Sequence, residues 1–600
     1  MSGDSDEEPA VYEEFLKLSN LRMQGYRLNG SYTMWESDKI RDAAKRWKVN
    51  KSPGLGLPLI FDPRRQDFEA AEFSDLGQDV LEDDAKKRLT QVERYFSKTH
   101  GSLHKMQRVL GAGGQGLNVH YNYVKDGASA DVVVKVSLEG WRSPSLRSET
   151  KMTMQMRRAA HCIQALNPEQ LDLTPMDQLR EEPVSEDSSD EEADSGDESL
   201  DGTGRPAQIP RRNRNPAEQA ERDAAVRERI EAWERIKVPK ARKDYLLLEY
   251  VPGGDFETII ARFIEATAEG QFAFRIPNKV LWNIWLCMVR ACVAMKYPPR
   301  KFHPFRPRPP RLPANASNED VQRHQRAMEL YANLPGQLIE TVPPPNRRFR
   351  AKNIIHFDID PSNIFLSALE ELWPGTDRIP GEHAVIPPAK LADFGLARHI
   401  KRNKRNQYYL NNRFTGKWGF YCPEQFGPEW ETTGVDGKGP ELSENPVAGN
   451  FGSHTNVWGM ALTLWTIITQ KEPPTPPQPQ FPPSLDEPHA LPDGVSLDQF
   501  IELADENYFR ETGIRRRTPI SYCPYLASGG PDGCFLYIDV RLRETLHRCM
   551  NHRPEDRPSV EDLLEEAKIG ALDNYPYETE EVVRNWLNEN FYSAPMAGDD

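Results

Sequence analysis

The 600-residue chain is poor in cysteine and has no long unbroken apolar run. None of its seven cysteines forms a C-x-x-C pair, which argues for reduced thiols in an intracellular protein and against a disulfide framework. The longest apolar stretches are 280–295 and 457–469, too short to span a bilayer, and Arg290 interrupts the first. The opening MSGDSDEEPAVYEE is acidic and gives no secretory signal. There is no internal repeat. These absences imply an intracellular protein, cytoplasmic or nuclear, with no membrane partner.

What is present is uneven. Residues 181–201 (EEPVSEDSSDEEADSGDESLD) hold 11 acidic residues and no basic one, so only −4 of the net charge of −15 lies elsewhere. That segment has almost no apolar content and reads as disordered, a solvated linker whose serines suit an acid-directed kinase. The near-neutral remainder argues neither for nor against nucleic acid. Proline-rich stretches at 300–313 and 472–483 read as surface loops or polyproline segments.

Helical spacing of Leu81, Ala85, Leu89, Val92 and Phe96 predicts a helix near the end of the first hundred residues. From Leu103 the texture changes. MQRVLG, LNVHYNYV and DVVVKVSL read as consecutive strands joined by glycine-rich turns. A helix is expected over 145–166, a charged helix over about 216–236 and a strand at DYLLLEYV. The second half is helix-rich, with buried helices at 280–295 and 457–469. Fold class is therefore α+β.

Several residue groups carry chemistry. Gly111, Gly113 and Gly116 lie between two expected strands, where glycines let a hairpin lie close over phosphates. A strand follows them, not a helix, which argues against a dinucleotide site. Lys135 ends an apolar strand and can place an ammonium on nucleotide phosphates; Glu149, in the next helix, could orient it. Taken alone, Lys135 reads better as a strand lysine reaching solvent, and Glu149 as a solvated helix residue. The sharper set is Asp358 and Asn363, five apart in HFDIDPSN, with Asp393 following in LADFG. An aspartate can accept a hydroxyl proton, and an asparagine with a second aspartate can hold Mg²⁺.

In this order, these motifs resemble a eukaryotic protein kinase. LLLEYVPGGDF is similar to the hinge between kinase lobes, YCPE to Ala-Pro-Glu, and NHRPEDRP to the late arginine segment, whose Arg557 would pair with Glu424. The resemblance covers about 103 to 572 minus insertions. It implies a two-lobed fold: an N-terminal extension (1–102), a strand-rich N-lobe (103–251, with an acidic insert at about 175–215), a helical C-lobe (252–572, with proline-rich inserts at about 297–350 and 471–497) and a tail (573–600). It further implies that Gly111, Gly113, Gly116 and Lys135 hold ATP phosphates and that Glu149 pairs with Lys135. Backbone groups of Glu249 and Val251 would hold adenine, and Asp255 would meet the ribose. Asp358 would be the base, with Asn363 and Asp393 binding Mg²⁺. The substrate would be a protein hydroxyl, serine or threonine, because the tyrosine-type catalytic loop is absent.

The departures are equally specific. Phe357 replaces the arginine that meets an activation-loop phosphate. Asp360 replaces the catalytic-loop lysine. Lys417 stands where the family has threonine, Asn456 where it has aspartate, and Asn118 and Val133 alter the adenine pocket. Inverting the charge at 360 in isolation would cost about four decades in rate, from a charge pair worth about 3 kcal/mol turned to repulsion. Either Lys417 supplies the lost charge by reaching Asp360 or Asp358, or it points to solvent and Asp360 is a plain loss. Taken together, the departures support an alternative to the active kinase, a pseudokinase scaffold that keeps the fold. The basic run RHIKRNKR (398–405) could attract acidic substrates or the chain's own acidic segment. Cys549 and His552, with Cys523 and Cys534 upstream, lack the paired spacing of a zinc site.

Overall fold

The computed structural model describes residues 83–99, 103–173 apart from 114–115, 126–127 and 172, 243–299 apart from 268–272, 337–344, 351–367, 382–474 apart from 428–429 and 431–438, 510, and 521–592 apart from 527–528 and 531–532. The acidic segment, the charged helix at 216–236, the proline-rich stretch at 300–313, most of that at 472–483 and most of 1–102 lie outside the described residues. The architecture is mixed α+β. Among the described residues it has a four-stranded sheet, two two-stranded ladders and ten α-helices. None of the helices is long and apolar enough to cross a membrane.

The described residues fall into two compact units. One lies within Leu81–Arg147 and Leu166–Leu248, the other within Ser148–Ala165 and Glu249–Asp600. In the first, α1 (Asp83–Glu93) runs into a π-turn (Arg94–Thr99), then β1 (His104–Gly113), β2 (Gly116–Lys125) and β3 (Ala128–Val136), with β4 (Leu246–Glu249) beside β3. The β1–β2 and β2–β3 ladders are antiparallel. Alternation places the β-branched Val132, Val134 and Val136 opposite Tyr121, Val119 and Leu117, all buried on one face. Val92, Tyr95 and Phe96 join the same core. Arg88 donates to the Ser137 carbonyl at 2.8 Å and lies over the Trp141 ring. Residues 83–99 thus belong to the sheet unit, whereas the sequence division set them apart in an extension ending at 102.

The expected helix over 145–166 is shorter. The α2 helix (Pro144–Gln155) stops early, because the Gln164 side chain takes over the backbone groups that a further turn would use. Its amide donates to the Ala159 and Cys162 carbonyls at 2.7 Å and accepts from the Arg158 N–H. The segment instead continues through turns, with isolated bridges from Ala159 to Leu338 and from Cys162 to Leu391.

The second unit is built on α3 (Phe256–Ala266) and α4 (Asn278–Lys296). Every residue of α4 from Val280 to Met295 is buried, as its apolar run predicts. Short ladders follow: β5 (Ile354–Ile355) with β8 (Arg398–His399), and β6 (Ile364–Leu366) with β7 (Ala389–Leu391). Then come α5 (Asn406–Arg413), α6 (Pro423–Phe426), the buried α7 (Ser453–Thr469), α8 (Val540–Cys549), α9 (Val560–Leu572) and α10 (Glu580–Leu587). Residues 573–592 are more than the tail read from sequence: Val583, Leu587 and Phe591 are buried in the helical core, with Phe591 stacked on Phe263.

Candidate functional site

The HFDIDPSN loop sits between β5 and β6. Asp360 caps the 3₁₀ turn Pro361–Asn363, accepting from Ser362 N at 2.8 Å and Ser362 Oγ at 2.5 Å. Proline at the first turn position and an aspartate cap are the residue types such a turn calls for. The turn brings Asn363 back onto Asp358: its Nδ2 donates to the Asp358 carbonyl at 2.9 Å and to Oδ2 at 3.2 Å.

His356 anchors the loop from below. Its Nε2–H donates to the Ala392 carbonyl at 2.9 Å, and its Nδ1 accepts the Asp358 N–H at 3.3 Å. Burial pushes its pKa down to about 4, against the opposing pull of Asp393, so the ring is neutral. The His356 N–H donates to Asn456 Oδ1 at 2.9 Å, while Asn456 Nδ2 donates to the Ile354 carbonyl at 2.8 Å. An aspartate at 456 would present only acceptors to that carbonyl. Phe357 has φ +65° and packs edge-on against Phe451. Its carbonyl fills the space where a Cβ on Gly416 would stand, 2.0 Å away, and Gly416 has φ +104°, so only glycine fits there.

Asp393 follows β7 with φ +54° and accepts from the Gly395 N–H at 3.1 Å. The Ala392 N–H donates to the Asn363 carbonyl at 2.9 Å, tying the two aspartate segments together. Asp358 is held at a pKa of about 7, raised by burial and then by the charges of Asp360 and Asp393. Lys417 and the Asn363 hydrogen bond pull it the other way.

Lys417 does not point to solvent. Its Nζ lies 3.2 Å from Glu257 Oε1 and 3.8 Å from Asp360 Oδ1. Burial lowers its pKa, but Asp360 and Glu257 together raise it above the ordinary lysine value. Lys417 therefore reaches Asp360, one of the two partners expected. Glu257, on the first turn of α3, has no signal in the linear motifs.

The other expected residues are placed as follows. Asp255 caps α3, accepting from Thr258 N at 2.8 Å, and burial raises its carboxyl pKa. The Glu249 N–H donates to the Gln164 carbonyl at 3.0 Å, and its carboxylate takes Lys390 Nζ at 2.9 Å. Val251 is buried, and Glu149 is buried within α2. Glu424 and Arg557 form a bidentate pair with both contacts at 2.8 Å, as the motif implies, and Thr455 Oγ1 donates to the same carboxylate at 2.9 Å.

Gly111, Gly113, Gly116 and Lys135 belong to the sheet unit. Gly113 and Gly116 face each other across the β1–β2 hairpin, so a strand does follow the glycines. A Cβ on Gly116 would lie 2.4 Å from the Val136 carbonyl, and its φ is +147°. Nothing lies within 4 Å of a Cβ at Gly111. Lys135 is buried in β3, opposite Asn118 on β2. Glu149 falls in the other unit.

One cluster escaped sequence reading. His161, Cys287 and His383 place ligand atoms within 4.8 Å of one another in the buried interior of the helical unit. They come from three distant segments, and no short spacing signals them. The cysteines that the sequence offered behave differently: Cys523 and Cys549 are buried with thiol pKa values pushed far up by burial, and His552 bonds Tyr522. No protein-family model matches the chain, and a search of curated proteins finds no match.

Proposed function

We propose that the chain is a two-lobed protein kinase that transfers the γ-phosphate of ATP to protein hydroxyls, serine or threonine, with Mg²⁺. The observation that carries this reading is the gathering of Asp358, Asn363 and Asp393 on one loop pair, with Lys417 set against Asp360. Asp358 lies beside the carboxylates of Asp360 and Asp393, and the Lys417 ammonium beside Asp360 is shared with Glu257. Such an oxygen-rich set fits Mg²⁺ held by Asn363 and Asp393. When bound, Mg²⁺ would neutralise phosphate charge.

The chain's own residues divide the remaining work. Asp358 accepts the proton of the acceptor hydroxyl as its oxygen bonds phosphorus and the β–γ bridge breaks, releasing ADP. Asn363 fixes the orientation of the Asp358 carboxylate. Lys417 offsets Asp360, which occupies the position of the family's catalytic-loop lysine. Gly111, Gly113, Gly116 and Lys135 would serve the nucleotide phosphates. Glu249 and Val251 would meet adenine, and Asp255 the ribose. The exposed run 401–405 would favour acidic protein substrates. Its suggested internal partner, the acidic segment, lies outside the described residues.

A second reading, a pseudokinase scaffold, draws on the same geometry. Lys417 lies closer to Glu257 than to Asp360, so part of its charge is spent away from the loop. Transfer from labelled Mg-ATP to a protein pool separates the two. The kinase reading expects transfer by wild type and its loss in both Asp358→Asn and Asp393→Ala. Nucleotide binding without transfer in wild type would favour the scaffold.

A further inference from the structure

The cluster of His161, Cys287 and His383 is independent of the loop just described. All three side chains are at most 5% exposed. His161 follows α2, Cys287 lies in mid-α4, and His383 precedes β7. The His161 and His383 Nε2 atoms face each other at 3.1 Å, and Cys287 Sγ lies 3.8 Å from His383 Nε2.

The outer hydrogen bonds decide which atoms face inward. His161 Nδ1 donates to Glu340 Oε2 at 2.6 Å, and the same carboxylate takes the His161 N–H at 2.8 Å. His383 Nδ1 lies 3.1 Å from the Ile386 carbonyl, which can only accept. Both Nδ1 atoms therefore carry hydrogens, and in neutral rings both Nε2 atoms present lone pairs to the same point. Cys287 Sγ accepts the Ala389 N–H at 3.4 Å, so its sulfur too is oriented as a base. Two imidazole lone pairs and a sulfur converge in a sealed interior, an arrangement that the Cys287 thiol proton, or a cation standing among them, would satisfy.

The spacing suits one. With Zn–N of about 2.0–2.1 Å and Zn–S of about 2.3 Å, tetrahedral donors sit roughly 3.3 Å (N to N) and 3.6 Å (N to S) apart. The observed 3.1 and 3.8 Å bracket those values. The surrounding shell is built in the manner of metal sites, where a histidine's outer nitrogen is tied to a carboxylate or a backbone carbonyl. Arg290, one turn after Cys287, braces that shell. It pairs with Glu382 through two bonds of 2.7 and 2.8 Å and donates to the Glu340 carbonyl at 2.7 Å. The charge count agrees: Glu340, Glu382, Arg290 and a Cys287 thiolate sum to minus two, which a divalent ion cancels.

We infer that His161, Cys287 and His383 bind a zinc ion that staples three distant segments of the helical unit. The competing arrangement is a single proton shared between the two imidazoles.

The test uses the full-length chain purified from zinc-supplemented expression. Elemental analysis should give about one zinc per chain, as for a structural site. X-ray absorption at the zinc edge should show one sulfur and two imidazole nitrogens, a measurement that needs no variant. Cys287→Ala should lose the sulfur shell, and both it and His383→Gln should drop zinc content to background. Folded wild type that neither contains zinc nor takes it up on titration would overturn the site. So would a shell with more than one sulfur, or a sulfur shell that persists in Cys287→Ala.

Discussion

Two groups of carboxylates in the helical unit are balanced in opposite ways. Glu424 is fully buried, yet two guanidinium contacts and a threonine hydroxyl complete it. The pairing holds its carboxyl below the ordinary glutamate pKa, against the upward push of burial. Asp358 stands beside the like charges of Asp360 and Asp393, and with burial they raise it to about 7. The first group is a finished structural joint. The second is an arrangement that the fold holds at a cost, the condition expected where binding or catalysis supplies the missing charge.

The comparison yields substitutions of opposite sign. Glu424→Gln should destabilise the unit by about 3–5 kcal/mol, because the Arg557 charge is left buried without its partner. A denaturant midpoint within error of wild type would end the distinction.

Asp358→Asn should do the reverse. A carboxyl raised in the folded state leaves stability intact below the unfolded value of 3.8 and erodes it as pH climbs through about 7. The variant should therefore match wild type near pH 3.5 and exceed it at pH 8 by up to about 4 kcal/mol, the full worth of a shift of roughly three units. Melts without Mg²⁺ at the two pH values decide it. Equal stability at pH 8 would mean that the acidic cluster is not frustrated.

Lys417→Thr sharpens the same point by worsening the imbalance. Removing the ammonium should raise the Asp358 titration midpoint further, read by carbon NMR of the carboxyl. It should also slow phosphate transfer by about tenfold, equivalent to about 1.4 kcal/mol. Unchanged transfer with an unchanged midpoint would show that Glu257 holds Lys417 away from any role in the loop.

How much of this was legible depended on how local the cause was. Asp358 meets Asn363 because Asp360 and Pro361 dictate a tight turn within five residues. That is a short-range instruction, readable from HFDIDPSN. Glu424 and Arg557 lie 133 residues apart, yet each stands in a recognisable short motif. Glu257 carried no such mark, and its approach to Lys417 depends on how α3 lies in the unit. The overrun of the 145–166 helix has a similar source: periodicity continues through Ile163, but one glutamine side chain captures the carbonyls. His161 and His383 are 222 residues apart and meet only through packing around α4. Arg290, read from sequence as a flaw in an apolar run, proved to be a brace for that cluster.

Asp539 lies between the two extremes and gives the finest test. It caps α8, accepting from Arg541 N at 2.9 Å, Arg541 Nη2 at 2.7 Å, Tyr575 Oη at 2.8 Å and Trp282 Nε1 at 3.1 Å. These donors hold its pKa at about 2, outweighing the upward push of burial. A depressed carboxyl contributes stability above its unfolded value of 3.8 and loses it as pH falls through about 2. Asn at this position keeps a capping oxygen but not the charge. Asp539→Asn should thus cost about 1 kcal/mol at pH 7, allowing for solvent screening of the part-exposed arginine, and nothing near pH 2. An equal loss at both pH values would assign the residue a packing role, leaving charge balance as a property of the buried groups alone.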